Sequence, residues 1–177
     1  LDLLVADGDS AAIARVVERH RTADNMTDRS AALAILAGGA FAERTAALED
    51  FYQRFQKDPL VLDKWLALEA VVPATETLDR VRTLLNHPAF SMANPNRVRA
   101  LVGAFAGGNQ TQFNRPDGAG YQFLADFVIA LDRRNPQTAA RLLVSFRSWR
   151  ALEPHRRALA ESALRSVAAV SDLSTDT

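Results

Sequence analysis

The chain has 177 residues, 48% of them hydrophobic, and its 21 basic and 21 acidic side chains give no net charge. This size suits one domain with a sizeable core, and the balanced charge counts against a nucleic-acid-binding module. No cysteine occurs, which excludes disulfides, thiolate zinc sites and cysteine nucleophiles and favours a reducing, cytoplasmic location.

Apolar residues recur at intervals of three and four along the whole chain, which predicts helices and no strands. The predicted helices cover roughly residues 9–21, 27–38, a segment ending before 59, then 59–73, 75–86, 95–108, a turn at 111–113, 121–133, a helix from 136, and 154–170. The loops between them are short, and no strict repeat consensus is present. We therefore predict an all-α fold, an irregular α-α superhelix of about nine helices in antiparallel pairs, as a single domain over residues 1–177.

The amino-terminal residues do not resemble a signal peptide. The first residues, Leu1-Asp2-Leu3-Leu4, include neither a methionine nor a basic leader. No apolar run approaches the roughly 20 residues that span a bilayer. We expect a segment cut from a longer chain, without a membrane partner.

The residue patterns that carry catalytic chemistry are missing from the sequence. The histidines His20, His87 and His155 stand far apart, and no His-Glu-x-x-His or Gly-x-Ser-x-Gly motif occurs. Acidic residues are scattered over helix faces rather than paired. The sequence therefore predicts neither a catalytic residue nor a metal site in this chain.

One helix start gathers an unusual amount of hydrogen-bonding capacity. Pro95 suits the first helical position, and Asn94 can cap the helix. The first turn of the helix then contains Asn96, Arg97 and Arg99. Arginines near a helix N-terminus oppose the helix dipole, which suggests that their side chains face a negative partner.

A second helix start repeats the Asn-Pro opening. Asn135 and Pro136 precede Gln137 and Arg141, which lie four residues apart on one helix face. The arginine side chains near the two helix starts can face one shared cavity. The alternative is ordinary capping with solvated arginines, and spacing alone does not separate the two interpretations.

Several stretches together resemble the C-terminal helical domain of bacterial aminopeptidase N. These are residues 51–65, 87–92, 94–109, 117–124 and 134–142, in the family's order. The family consists of gluzincin-type zinc aminopeptidases, which remove N-terminal residues from peptides one at a time. Its zinc helix, third glutamate ligand and Gly-Ala-Met-Glu-Asn motif belong to earlier domains and are not in this sequence.

The resemblance implies a role for the chain as a cap over the catalytic cleft that encloses the substrate cavity. By resemblance, Arg99 and Arg141 face this cavity with Gln137 beside the second, near Asn94 and Asn96, and contact the distal part of a bound peptide. The implied partners are the parent's other domains and peptide substrates, and the implied zinc is bound by the parent and not by this chain. The family's chain continues beyond the equivalent of Thr177 into one more short helix.

Two other kinds of protein remain compatible with the sequence. A stand-alone α-superhelical scaffold that binds another protein predicts an extended apolar patch on the concave face. The aminopeptidase interpretation predicts an arginine-lined face there, and an apolar side near the amino-terminal helices that docks on the parent. An enzyme in its own right would need a catalytic group that the sequence does not offer.

Overall fold

A computed structural model describes residues 5, 7–39 and 41–177, and over these residues the chain is helical without strands. The all-α prediction is confirmed. The amino-terminal residues 1–4 lie outside the described residues. Numbered in chain order, the α-helices are α1 (Ser10–Thr22), α2 (Met26–Gly38), α3 (Glu43–Phe55), α4 (Pro59–Val71), α5 (Thr77–Leu84), α6 (Pro95–Val98), α7 (Ala104–Gly108), α8 (Gln110–Phe113), α9 (Ala119–Asp132), α10 (Pro136–Leu143) and α11 (Pro154–Ala168).

The helix predicted over residues 95–108 is interrupted. Between α6 and α7 the backbone makes a π-helical turn over Arg99–Gly103. Such turns hold one residue more than an α-helical turn and occur often at functional sites. Two 3₁₀ turns, Val144–Phe146 and Trp149–Ala151, also follow α10. Periodicity did not predict the π turn, because the apolar residues on either side of it and within it keep the spacing of an uninterrupted α-helix.

Two predicted helix starts are shifted. Asn25, not Thr27, caps α2, because its side chain accepts a hydrogen bond from Asp28 N at 2.9 Å. Helix α9 begins at Ala119, two residues before the predicted position, directly after Gly118 at φ +70°. That left-handed conformation suits glycine, which has no side chain to clash with the backbone.

Gly120 is required for a different reason. A Cβ on Gly120 would lie 2.4 Å from Phe113 O and 2.8 Å from Gln112 O. The backbone of α9 therefore approaches the end of α8 closely, and only a residue without a side chain fits there.

Helix α4 is the centre of the packing. Its buried residues cover one half of the helix surface and include Val61, Leu62, Trp65 and Leu66, while Lys64 on the opposite side is exposed. It packs against α2, α3, α5, α6, the π turn and α7. The buried half of α4 is therefore the surface on which its neighbours are ordered.

The segment from α6 to α7 is fastened to α4 at both ends. At its start, Arg97 Nη1 donates to Pro59 O at 2.7 Å and to Asp63. At its end, the buried Asn109 donates through Nδ2 to Ala70 O at 3.0 Å and Val72 O at 2.7 Å. These contacts set both the position and the rotation of the π turn between them.

The described helices do not include one that could cross a lipid bilayer, since none is both long enough and apolar enough. The large hydrophobic side chains that are clearly exposed are Leu60 and Val144, within the described part of the chain. Neither lies in α1–α3, so the described residues do not bear out the predicted apolar side near the amino-terminal helices.

Asn109→Ala should lower the free energy of unfolding by about 1–3 kcal/mol, because Ala70 O loses its side-chain donor and Val72 O keeps only the Thr77 hydroxyl. Asn86→Ala is the matched control, because Asn86 is exposed and its side chain makes no hydrogen bond among the described residues. Urea unfolding monitored by circular dichroism measures both variants. Equal stability of the two would show that the Asn109 contacts do not hold α7 on α4.

Candidate functional site

The start of α6 is built as the sequence predicts. Asn94 Oδ1 accepts hydrogen bonds from Asn96 N at 2.9 Å and Arg97 N at 3.5 Å, and Pro95 occupies the first turn. This cap satisfies N–H groups that have no partner within the helix. It also fixes which way each following side chain leaves the helix.

Arg97 does not face an external anion, contrary to the prediction. Its side chain is 9% exposed and pairs with Asp63 of α4, whose side chain is 24% exposed. Asp63 supplies the negative charge that an arginine near a helix N-terminus requires. Arg97 is therefore a structural residue.

Arg99 leaves the helix on the other side. Two residues along an α-helix correspond to a rotation of roughly 200°, so Arg97 and Arg99 point in opposite directions. Arg99 is exposed, and its guanidinium donates to Asn96 Oδ1. Within the described residues it has no carboxylate within 4.0 Å.

Arg141 lies in the last turn of α10, not near its start. The helix is short and is capped by Asn135, whose side chain accepts from Thr138 N at 3.0 Å. The negative end of the helix dipole favours an arginine in this position. The expectation that the dipole opposes Arg141 is therefore wrong.

Arg99 and Arg141 line one open cavity of about 510 Å³, which we call the arginine cavity. Its wall also contains Arg147, neutral polar groups and a set of aromatic rings. These further residues include Gln110, Asn114, Thr138, Ser145, Ser148, Phe113, Tyr121, Phe146 and Trp149. As far as the structure describes the chain, the wall contains no aspartate or glutamate.

Three of the predicted cavity residues do not line this space. Asn94 caps α6, and Asn96 holds the guanidinium of Arg99. Gln137 is exposed, while the part of α10 that reaches the wall carries Thr138, Arg141 and Leu142. Of the predicted set, the structure brings Arg99 and Arg141 together.

The aromatic side of the cavity is continuous with the hydrophobic core. The ring of Phe113 lies 5.2 Å from that of Tyr121 and 5.5 Å from that of Phe146, and all three residues are buried. Burial raises the pKa of the Tyr121 hydroxyl, which stays protonated and donates to Asn114 Oδ1 at 2.9 Å. This part of the wall is therefore rigid and electrically neutral.

Arg147 and Trp149 were not predicted as cavity residues. They lie around the two 3₁₀ turns after α10. A signal for them was present in the sequence, because residues 133–152 contain five arginines and no acidic residue. This local excess of positive charge distinguishes the segment from the rest of the sequence, whereas its helical periodicity does not.

A second concave region, of about 310 Å³, differs in its charge. Its two arginines are each paired with a glutamate of the same wall, Arg44 with Glu76 at 3.1 Å and Arg80 with Glu69 at 2.8 Å. Glu69 is buried and receives two hydrogen bonds from Arg80. These two ion pairs serve the packing of α3, α4 and α5, and the third glutamate of the wall, Glu49, leaves the region slightly acidic rather than basic.

The described residues do not fit a metal centre. Among them, no three histidine, cysteine, aspartate or glutamate side chains are grouped so that they could bind one ion. A structural or catalytic zinc site needs at least three such ligands.

The purified 177-residue chain should accordingly contain no stoichiometric zinc after dialysis against zinc-containing buffer. Atomic absorption spectroscopy measures the metal-to-protein ratio. One zinc ion per chain would contradict this expectation.

Arg97→Ala and Arg99→Ala should differ sharply in stability although they lie two residues apart. Loss of Arg97 leaves Asp63 and Pro59 O without their donor, and we expect a decrease of about 1–3 kcal/mol in the free energy of unfolding. Loss of the exposed Arg99 should change it by about 0.5 kcal/mol or less. Thermal unfolding of both variants compares them, and a reversed order would refute the assignment of the two side chains.

Comparison with known proteins places this geometry in a family. A family described as "Domain of unknown function (DUF3458_C) ARM repeats" matches residues 1–177. Aminopeptidase N of Haemophilus influenzae is 41% identical over 162 residues, which are 91% of this chain and 19% of that protein. Aminopeptidase N of Caulobacter vibrioides is 40% identical over 173 residues, 98% of this chain and 20% of that protein.

A solved structure shows the same fold. The crystal structure of Legionella pneumophila aminopeptidase A in complex with aspartic acid matches with a TM-score of 0.85 and 32% identity, over 93% of this chain and 19% of that one. This chain thus spans about a fifth of the length of the relatives that it matches. The chain belongs to the DUF3458_C family of ARM-repeat domains and is homologous to the C-terminal part of aminopeptidases.

Proposed function

We propose that residues 1–177 form the C-terminal domain of a cytoplasmic zinc aminopeptidase that removes N-terminal residues from peptides. In this proposal the domain caps the catalytic cleft of the parent enzyme and encloses its substrate cavity. The catalytic zinc and its ligands belong to the parent's other domains, which are this domain's partners. Neither nucleic acid nor a membrane takes part.

The arginine cavity is the observation that carries the proposal. Arg99 and Arg141 reach it from two different helices, and neither has a carboxylate partner within 4.0 Å among the described residues. A guanidinium group matches the geometry of a carboxylate and donates several hydrogen bonds to it. A peptide whose N-terminus lies at a catalytic centre outside this chain can place its distal carbonyls and terminal carboxylate here.

The stand-alone scaffold is the less favoured alternative. It predicts an extended exposed apolar patch on the concave face. In the described residues the clearly exposed large hydrophobic side chains are single ones, Leu60 and Val144. The concave wall around Arg99 and Arg141 is mixed: it contains apolar side chains, the exposed Val144 among them, beside the arginines. The arginines without an acidic partner in this wall favour a ligand with negative charge over a purely apolar partner.

In the full-length enzyme, Arg141→Ala should raise KM for peptides by about ten- to a hundred-fold. This corresponds to the loss of one charge-assisted hydrogen bond, about 1.5–3 kcal/mol. KM for single-residue chromogenic amides should not change, because such substrates do not extend from the catalytic centre to α10. Steady-state kinetics with both substrate types measure the difference.

Arg134→Ala is the matched control for this experiment. Arg134 is exposed and close in sequence, but it does not line the arginine cavity. It should leave both KM values unchanged. An equal effect of Arg141→Ala on peptides and on single-residue amides would refute the proposed role.

A further inference from the structure

The arginine cavity holds more positive charge than a single peptide terminus requires. Arg99, Arg141 and Arg147 line it together, and no acidic residue of the described chain contributes to its wall. Most other arginines of the chain are ion-paired; Arg97, Arg80 and Arg156, for example, each have a carboxylate within 4.0 Å. The three cavity arginines have none among the described residues.

Three like charges around one space of about 510 Å³ repel each other. The repulsion is reduced by solvent and salt, but it returns when a ligand displaces water from the cavity. One terminal carboxylate compensates one of the three guanidinium groups. The other two remain uncompensated unless the ligand brings further negative groups.

The rest of the wall fits the remaining parts of a peptide. Trp149 and the buried rings of Phe113 and Phe146 offer apolar surface to methylene groups. Gln110, Thr138 and the nearby serines offer hydrogen-bonding groups to a peptide backbone. The cavity volume is within the range of small-ligand sites, about 300–1,000 Å³.

We propose that the arginine cavity is a selectivity site for acidic peptides, in which Arg147 acts with Arg99 and Arg141 to favour substrates with aspartate or glutamate in their distal part. The ligand's identity as a peptide substrate rests on the proposed function. The preference for negative side chains rests on the composition of the cavity wall. Peptides with lysine or arginine at the same positions are disfavoured by the same charges.

Trp149 provides a direct readout of binding to the chain. The sequence has two tryptophans, and the other, Trp65, is 1% exposed in the core. A ligand in the cavity should therefore change the fluorescence of Trp149 and leave that of Trp65 unaltered. Trp149→Phe should abolish the signal and so assigns it to this site.

The probes are short alanine peptides of equal length that carry two glutamates, two glutamines or two lysines in their carboxyl-terminal half. We expect the glutamate peptide to bind about tenfold more tightly than the glutamine peptide, and the lysine peptide to bind most weakly. Raising the ionic strength should reduce the difference. Equal affinity for the glutamate and glutamine peptides overturns the proposal.

Arg147→Gln should remove most of the preference for glutamate, whereas Arg134→Gln, outside the cavity, should preserve it. A far-UV circular dichroism spectrum like that of the wild type shows that each variant is folded. A glutamate preference that survives Arg147→Gln, Arg99→Gln and Arg141→Gln alike overturns the assignment to this cavity.

A short single-stranded oligonucleotide tests the class of ligand. If it binds more tightly than the glutamate peptide, and this binding depends on Arg147, the choice of a peptide as ligand is overturned.

Kinetics of the full-length enzyme separate this inference from the proposed function. If the chain binds glutamate peptides preferentially but Arg141→Ala affects peptides and single-residue amides equally, the proposed function fails and the ligand chemistry of the cavity stands. If Arg141→Ala affects peptides alone but no glutamate preference is found, the proposed function stands and this inference fails.

Discussion

The attachment of the α6–α7 segment to α4 is the constraint on which the site depends. Arg97 joins the start of this segment to Asp63 and Pro59 O, and Asn109 joins its end to Ala70 O and Val72 O. Both contacts involve buried polar groups, which are costly to leave without partners. A segment held at both ends cannot rotate, so the direction in which Arg99 leaves it is fixed.

The π turn lies in the middle of this attached segment and forms part of the cavity wall. Through the turn the buried apolar residues keep α-helical spacing, at Val98, Leu101, Val102 and Phe105. The same turn lines the cavity with Arg99 and Gly103 on its other side. A Cβ on Gly103 would lie 3.7 Å from Leu142 Cδ2 and 3.8 Å from Arg99 Cβ, so α10 packs close to this turn.

Charge is distributed unevenly over a molecule that has no net charge. In the second concave region each arginine is paired with a glutamate, and at Arg97 a neighbouring helix supplies the anion. The arginine cavity lacks this compensation along the described chain. The three cavity arginines are exposed and form no ion pair among the described residues, so their contribution to folding is small, and the proposed ligand supplies the missing negative charge.

The sequence alone determined the helical fold and the beginnings of the helices that form the site. Asn94 and Asn135 are local signals, because a cap and a following proline act within one turn of backbone. The family resemblance, carried by short runs of residues, was equally visible in the sequence. These features depend on neighbours in the chain and need no knowledge of tertiary contacts.

The resemblance named Arg99 and Arg141 as cavity residues, but only the tertiary structure separated Arg97 from them and added Arg147. Arg97 and Arg99 are the same residue type two positions apart, and the difference between them comes from Asp63 on another helix. Arg147 and Trp149 lie at the two 3₁₀ turns that follow α10, the second of which packs on α11, and both reach the wall, whereas Gln137 does not. Which arginine forms an ion pair, and which lines a cavity, depends on residues that are distant in sequence. For this reason a pattern along the chain does not specify either property.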